Sequence, residues 1–433
     1  MAAKTTGSAD HLCVLIHGLW GNPGHLAYLE KSLREAYPED QVHILLAKSN
    51  ADSFTYDGIE LGGERTTAEI EDKIKELEEN GTELKKLSVI GYSLGGLVAR
   101  YTIGLLFSRG LFDRIQPVNF TTFATPHLGV RTPLLGPHSY IFNVLGARTL
   151  SQSGRQLFLI DSFRDTNRPL LSVMADPNSI FIRALSQFKN RTLYCNIVND
   201  KSVPWYTSSV TKTDPFIDLD AVELRPLKGY EGALLDPDEP VRPKTMPQLG
   251  LLQRLQMSGR ATLSALPFVL LLSVVIPIGS TVFLINSGYQ TFRSAQRVRL
   301  HESGQAGVGI EHYRIPLIEE ARSLGDRVYR RLGHEQGEDY LPTPPPEEEI
   351  ESKEARAEAR AVNSHDKFPT LALTPEQFEM IENLDRVGLK KYPVHITKVR
   401  HSHAAIVVRS KLREKWFSEG KVVVRHWVEH FEV

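Results

Sequence analysis

A serine stands at the centre of Gly91-Tyr92-Ser93-Leu94-Gly95. A serine hydroxyl is a weak nucleophile until a neighbouring base takes its proton, and it then attacks acyl carbonyls. Glycines two residues to either side permit a turn too sharp for side chains at its flanks. Leu87 to Ile90, just before it, reads as a short buried strand. Leu97, Val98, Tyr101, Leu105 and Leu106, just after it, recur at helical spacing. Strand, GxSxG, helix is the setting of a nucleophile elbow, so Ser93 is the candidate nucleophile.

Such a serine needs a base, and the base needs a carboxylate to fix its tautomer. On a sheet of this kind the acid and the base follow the serine in that chain order. Asp200 stands just after the apolar run Thr192 to Val198 and is the candidate acid; Asp161, Asp165 and Asp176 are poorer placed. His403 precedes Ala404-Ala405-Ile406 at the entry to an apolar helix and is the candidate base, with His401 as the alternative. His312, His334 and His365 lie in polar surroundings, and His17 and His127 read as turn-stabilising residues. The oxyanion needs two preorganised N–H donors. Leu94, after the nucleophile, supplies one, and Leu19, in the turn after the first strand, supplies the other. No spacing of ligand types suggests a metal, and no cofactor is expected.

The elements that must position these groups are legible in order. His11 to Ile16 is a strand, followed by the turn His17-Gly18-Leu19-Trp20-Gly21-Asn22-Pro23. A helix then carries Leu26, Leu29 and Leu33 on one face. Val42 to Leu46 is a strand, Ser49 to Arg65 is polar and glycine-containing, and Thr66 to Glu79 is helical. Val118 to Phe123 gives a further strand. Strands alternating with helices predict a mostly parallel, doubly wound α/β sheet. Residues 130–190 break the rhythm and are expected to form a cap. Residues 211–260 read as irregular and then interfacial, 293–332 as helical, and the Pro- and Glu-rich stretch 333–367 as a disordered linker. Residues 368–433 complete the fold, with a helix after Thr374-Pro375, a strand over Tyr392 to Val399, and a final strand over Val422 to His426.

Composition narrows the partners. With 51 Lys and Arg against 52 Asp and Glu, no overall field favours nucleic acid. Cys13 and Cys195 sit in apolar runs and read as buried, reduced thiols. The first residues show no apolar signal segment. Residues 261–292 contain no charged side chain, and arginines stand on both sides. That length suits a membrane segment, and 249–260 suits a helix lying in a headgroup layer.

HGLWG at 17–21, YDGIELGGER at 56–65, GYSLGGLVARY at 91–101, FATPHLG at 123–129, NDKSVPW at 199–205 and HSHAAIVVR at 401–409 together resemble the fungal branch of the putative serine esterase family of lipase-like α/β-hydrolases. The similarity is greatest to its lipid-droplet phospholipase group. The resemblance implies an α/β-hydrolase fold, hydrolysis of fatty-acyl esters of glycerophospholipids, and triad roles for Ser93, Asp200 and His403. Neutral-lipid or acyl-thioester hydrolysis by the same triad is the alternative chemistry; a non-catalytic membrane adaptor is the alternative of another class.

One constraint follows from order alone. Ser93 and Asp200 precede the charge-free stretch and His403 follows it. A single membrane span would put the base on the wrong side of the bilayer, so both ends must emerge on one side. The expectation is a monotopic hairpin over 261–292, folded near Pro277-Ile278-Gly279. It would hold a cytosol-facing hydrolase on a lipid droplet or endoplasmic reticulum surface, with mitochondrial or other intracellular membranes as alternatives.

Overall fold

Five short apolar runs and one late segment assemble into a single all-parallel sheet. A computed structural model describes residues 9–131, 149–230, 232–244, 284–301, 303 and 370–433. The strands are β1 (His11–Ile16), β2 (His43–Leu46), β3 (Lys86–Tyr92), β4 (Gln116–Phe123) and β5 (Asn190–Asn196). A small antiparallel pair, β6 (Val222–Leu224) and β7 (Val241–Pro243), lies apart, and β8 (Lys390–Val394) returns to the main sheet. The order is β2-β1-β3-β4-β5-β8, with every neighbour parallel. This is an α/β-hydrolase-like architecture.

Period-two alternation in the strands feeds two cores. Leu12, Val14 and Ile16 of β1 point to one face of the sheet, and Cys13 and Leu15 to the other. The first face is covered by α2 (Ile59–Glu79), α3 (Leu94–Ser108) and the helices of 149–188, joined by α9 (Pro375–Asp385). The second is covered by α1 (Ala27–Ala36) and α11 (Ser418–Glu429). Each fully buried Leu or Ile in these layers contributes about 1.5–3 kcal/mol. Both cysteines are free and buried, and burial raises the Cys195 thiol to about 12.

Two expectations are corrected. The helix expected from Thr66 begins earlier, at Ile59, and runs through Gly62-Gly63. A Cβ on Gly63 would lie 2.9 Å from the Cβ of Tyr101, so glycine sets the approach of α2 to α3 here. Val422 to His426 is helix, not strand. Its β-branched run reads as a strand locally, but Val423, Val424 and Trp427 fall on one helical face buried in the second core. Residues 149–188, within the stretch expected as a cap, are helical. There α4 (Ser151–Leu157), α5 (Leu170–Met174) and α6 (Ile180–Gln187) bury Leu157, Leu171, Met174 and Phe181 in the first core. Residues 132–148 of the expected cap lie outside the described residues.

A third correction concerns the apolar stretch. Residues 284–301 form a helix, α8, with α7 (Trp205–Ser208) preceding it in the chain. Ser287 and Ser294 of α8 are buried, and Arg297 reaches Asp57. The hairpin arm expected to extend to 292 is therefore docked on the body that carries the sheet from Ser287 onward. The rest of the expected hairpin, and the linker 333–367, lie outside the described residues. Among the described residues no helix is long and apolar enough to cross a membrane.

Candidate active site

Ser93 occupies the junction of β3 and α3 with φ 56° and ψ −128°. Backbone in this region costs a non-glycine residue roughly 1–3 kcal/mol and persists only when its surroundings hold it. Two main-chain bonds do so. The Ser93 N–H donates to the carbonyl of Phe123 at 2.9 Å, and the Gly96 N–H to the carbonyl of Ser93 at 3.0 Å. The flanking glycines are needed for space: a Cβ on Gly91 would meet the Gly95 carbonyl oxygen at 2.8 Å, and one on Gly95 would meet the His17 carbonyl carbon at 2.8 Å.

Asp200 follows β5, and its carboxylate is surrounded by donors. Oδ1 accepts the N–H groups of Ser202 at 3.0 Å and Val203 at 2.9 Å. Oδ2 accepts the Asn196 side-chain amide at 2.8 Å and His403 Nδ1 at 2.8 Å. Burial alone would raise this carboxyl, but the charge of His403 and the hydrogen bonds outweigh it, and the group is held below its usual 3.8.

His403 lies in α10 (Ser402–Ala405), a short helix after β8. Its Nε2 is 2.9 Å from Ser93 Oγ. With Nδ1–H donating to Asp200, Nε2 presents a lone pair to the serine hydroxyl. Two bonds fix the backbone here: Tyr92 Oη donates to the His403 carbonyl at 2.8 Å, and Ser402 Oγ to the Val198 carbonyl at 2.7 Å. The Tyr92 ring also lies 5.2 Å from the imidazole. His401 does not join them. It is exposed at the start of α10, and its carbonyl accepts from Ala404.

The loop after β1 passes directly over the serine. A Cβ on Gly18 would lie 3.3 Å from Ser93 Oγ. Trp20 anchors this loop, its N–H donating to Thr55 Oγ1 at 3.0 Å and its indole N–H to Tyr56 Oη at 2.8 Å. The main-chain N–H of Leu94, at the first position of α3, has no acceptor among the described residues, and neither does that of Leu19.

The remaining candidates fall elsewhere. His17 Nδ1 bonds the Gly18 carbonyl at 3.1 Å and His127 bonds Thr122 at 3.0 Å; burial lowers both imidazoles. Asp161 accepts the Leu170 N–H, and Asp176 pairs with Arg168. Asp165 lies in a short 3-10 turn, Arg164–Thr166. His312, His334 and His365 lie outside the described residues. Among the described residues no His, Cys, Asp and Glu group could hold a metal. Sequence reasoning missed Tyr92, Asn196 and Ser402. Their signal was position: each sits one to four residues from a triad member, on the element that delivers it.

Residues 6–212, just under half of the chain, match the family described as "Putative serine esterase", DUF676. The chain is 32% identical over 216 residues to the "Putative lipase ROG1" of Saccharomyces cerevisiae. The match covers 48% of this chain and 30% of the relative. It is 32% identical over 209 residues to the "Putative lipase C4A8.10" of Schizosaccharomyces pombe, over 46% of this chain and 26% of the relative. The chain thus spans about a third or less of the length of these curated relatives. Among solved structures, Est1E from Butyrivibrio proteoclasticus aligns at 16% identity and TM-score 0.28, covering 47% of this chain and 74% of that one. The RedJ thioesterase from Streptomyces coelicolor aligns at 18% and 0.25, covering 48% and 76%.

Proposed function

We propose that the protein is a serine hydrolase of fatty-acyl esters in lipids, acting on glycerophospholipids at a lipid surface. The observation that carries this reading is the continuous hydrogen-bonded line from Asp200 through His403 to Ser93, at 2.8 and 2.9 Å.

Ser93 Oγ attacks the acyl carbonyl while His403 Nε2 accepts its proton. Asp200 holds Nδ1–H and stabilises the imidazolium. The oxyanion takes hydrogen bonds from the Leu19 and Leu94 N–H groups. His403 then protonates the leaving alkoxide, and water, deprotonated by the same imidazole, releases the fatty acid from Ser93.

Three facts support a lipid substrate: the lipase names of the relatives, the charge-free run, and its placement. Lys244 and Leu284, on either side of the undescribed stretch 245–283, belong to one body: Lys244 N–H donates to the Ala221 carbonyl, and α8 docks on α2. A chain that leaves and returns to the same body favours a monotopic attachment over a single span. A droplet or endoplasmic reticulum surface, with the hydrolase facing the cytosol, fits that geometry.

A fluorophosphonate probe tests the catalytic reading. Labelling of the wild type and not of Ser93→Ala is expected; no labelling of folded, lipid-presented protein overturns it. Incubation with a panel of phospholipids, acylglycerols and acyl-thioesters tests the substrate, with phospholipid expected to release fatty acid fastest.

A further inference from the structure

Helix α8 turns its polar side to the protein and its apolar side outward. Inward, Ser287 Oγ donates to the Thr149 carbonyl and Ser294 is fully buried. Arg297 grips the Asp57 carboxylate with Nε and Nη2 at 2.8 and 2.7 Å and reaches the Ser53 carbonyl at 2.8 Å. His301 bonds Glu64. Outward, Leu284, Ile285, Tyr289 and Phe292 are 51% to 70% exposed. A helix packed on a globular body buries its apolar stripe; this one is keyed to the body by ions and hydroxyls and leaves that stripe uncovered by the described residues.

Charge and continuity identify the occupant. Residues 284–301 contain arginine at 293, 297 and 299 and no acidic residue. Arg297 is neutralised inward by Asp57, so Arg293 and Arg299, both exposed, set the outward charge. The chain entering the helix is the uncharged run beginning at 261. An apolar flank with basic residues beside it, continuous with an uncharged segment, suits a helix lying in an anionic headgroup layer.

The docking also fixes orientation. The 3-10 turn Asp52–Tyr56 holds both the helix and the oxyanion loop. Arg297 bonds Ser53 and stacks over Phe54 with 4.9 Å to the ring centre. Trp20, half exposed and next to Leu19, bonds Thr55 and Tyr56 of the same turn. We propose that α8 is an interfacial helix whose outward residues Leu284, Ile285, Tyr289, Phe292, Arg293 and Arg299 rest on an anionic lipid surface and hold the Ser93 mouth against it. The inference rests on the lipid-ester reading for what the mouth would cut.

The test uses the full chain with Phe292→Cys carrying an environment-sensitive nitrobenzoxadiazole label; Cys13 and Cys195 are buried and do not compete. Lys75→Cys, exposed on the far half of α2, is the control. Phosphatidylcholine vesicles are compared with and without phosphatidylserine, scoring flotation and emission together. A blue-shifted, brighter label at 292 and not at 75, stronger with phosphatidylserine, is expected. Replacing both Arg293 and Arg299 by Glu should abolish the phosphatidylserine preference. An unchanged label at 292 on floated protein, or no flotation, overturns the proposal. So does a shift that grows with protein concentration without vesicles, which assigns the flank to a second copy; equal responses on both vesicles overturn the role of the arginines. Hydrolysis of a soluble p-nitrophenyl ester by the same sample reports the catalytic reading separately.

Discussion

Two carboxylate–imidazole pairs lie among the described residues in different settings. Asp200–His403 ends on a serine hydroxyl held in a strained backbone, and its imidazole is 15% exposed. Glu64–His301 joins α8 to α2, with an imidazole 3% exposed and no hydroxyl or thiol bonded to it among the described residues. Its neighbours are further charges: Arg164 beside Glu64, and the Asp57, Arg65 and Arg297 group one turn away. A carboxylate beside a histidine is thus not in itself a catalytic device. What separates the two is a third group, the Ser93 hydroxyl on its positive-φ backbone, bonded to the imidazole of the first pair only.

Substitutions should separate the pairs by the quantity they change. Ser93→Ala or His403→Ala should lower kcat by about 10⁶-fold, as in triads acting as a unit, with little change in the urea midpoint. His301→Ala should lower the midpoint and leave kcat near wild type; a loss of kcat comparable to His403→Ala would erase the distinction. Asp200→Asn should cost about 10⁴-fold in kcat through the wrong imidazole tautomer, whereas Glu64→Gln should not.

The second network should be felt in stability. Asp57→Ala leaves Arg65 and Arg297 without their buried partner, and removing one member of such a pair costs about 3–5 kcal/mol. Urea unfolding measures this, and a change under 1 kcal/mol would show that α8 is not held by ions. Gly63→Ala forces a methyl against Tyr101 and should cost about 1–3 kcal/mol by overpacking, read in the same experiment. The smallest effect is a pH dependence. The Asp200 carboxyl is held below 3.8 in the fold, so the folded state binds its proton less readily than the unfolded chain. Its contribution is fully present above the unfolded value and is lost as pH falls through the lower folded one. Wild type should lose stability in that acid range more steeply than Asp200→Asn.

The three side chains that the structure joins were legible because each carries a local signature: Ser93 its glycines, Asp200 the strand before it, His403 the apolar helix after it. His401 and His403 could not be separated by spacing, since both follow a strand; the turn of α10 and the Tyr92 and Ser402 bonds make the choice. Strands β1 to β5 were legible from short apolar runs. What escaped was set by distant partners. The first two turns of α2 escaped because Gly62-Gly63 show no apolar face of their own and pack against Tyr101, and Val422 to His426 reads as a strand until α1 and the sheet select its helical face. In α8 the contacting side is polar, and a search for apolar faces looks at the opposite one.

The contact between Ser402 Oγ and the Val198 carbonyl spans 204 positions of the chain, and β8, the strand of the sheet that comes latest in the chain, sits at its edge beside β5. During synthesis Ser93 and Asp200 leave the ribosome long before His403. On the proposed reading, a ribosome stalled short of the tail holds a chain whose serine has no imidazole to accept its proton.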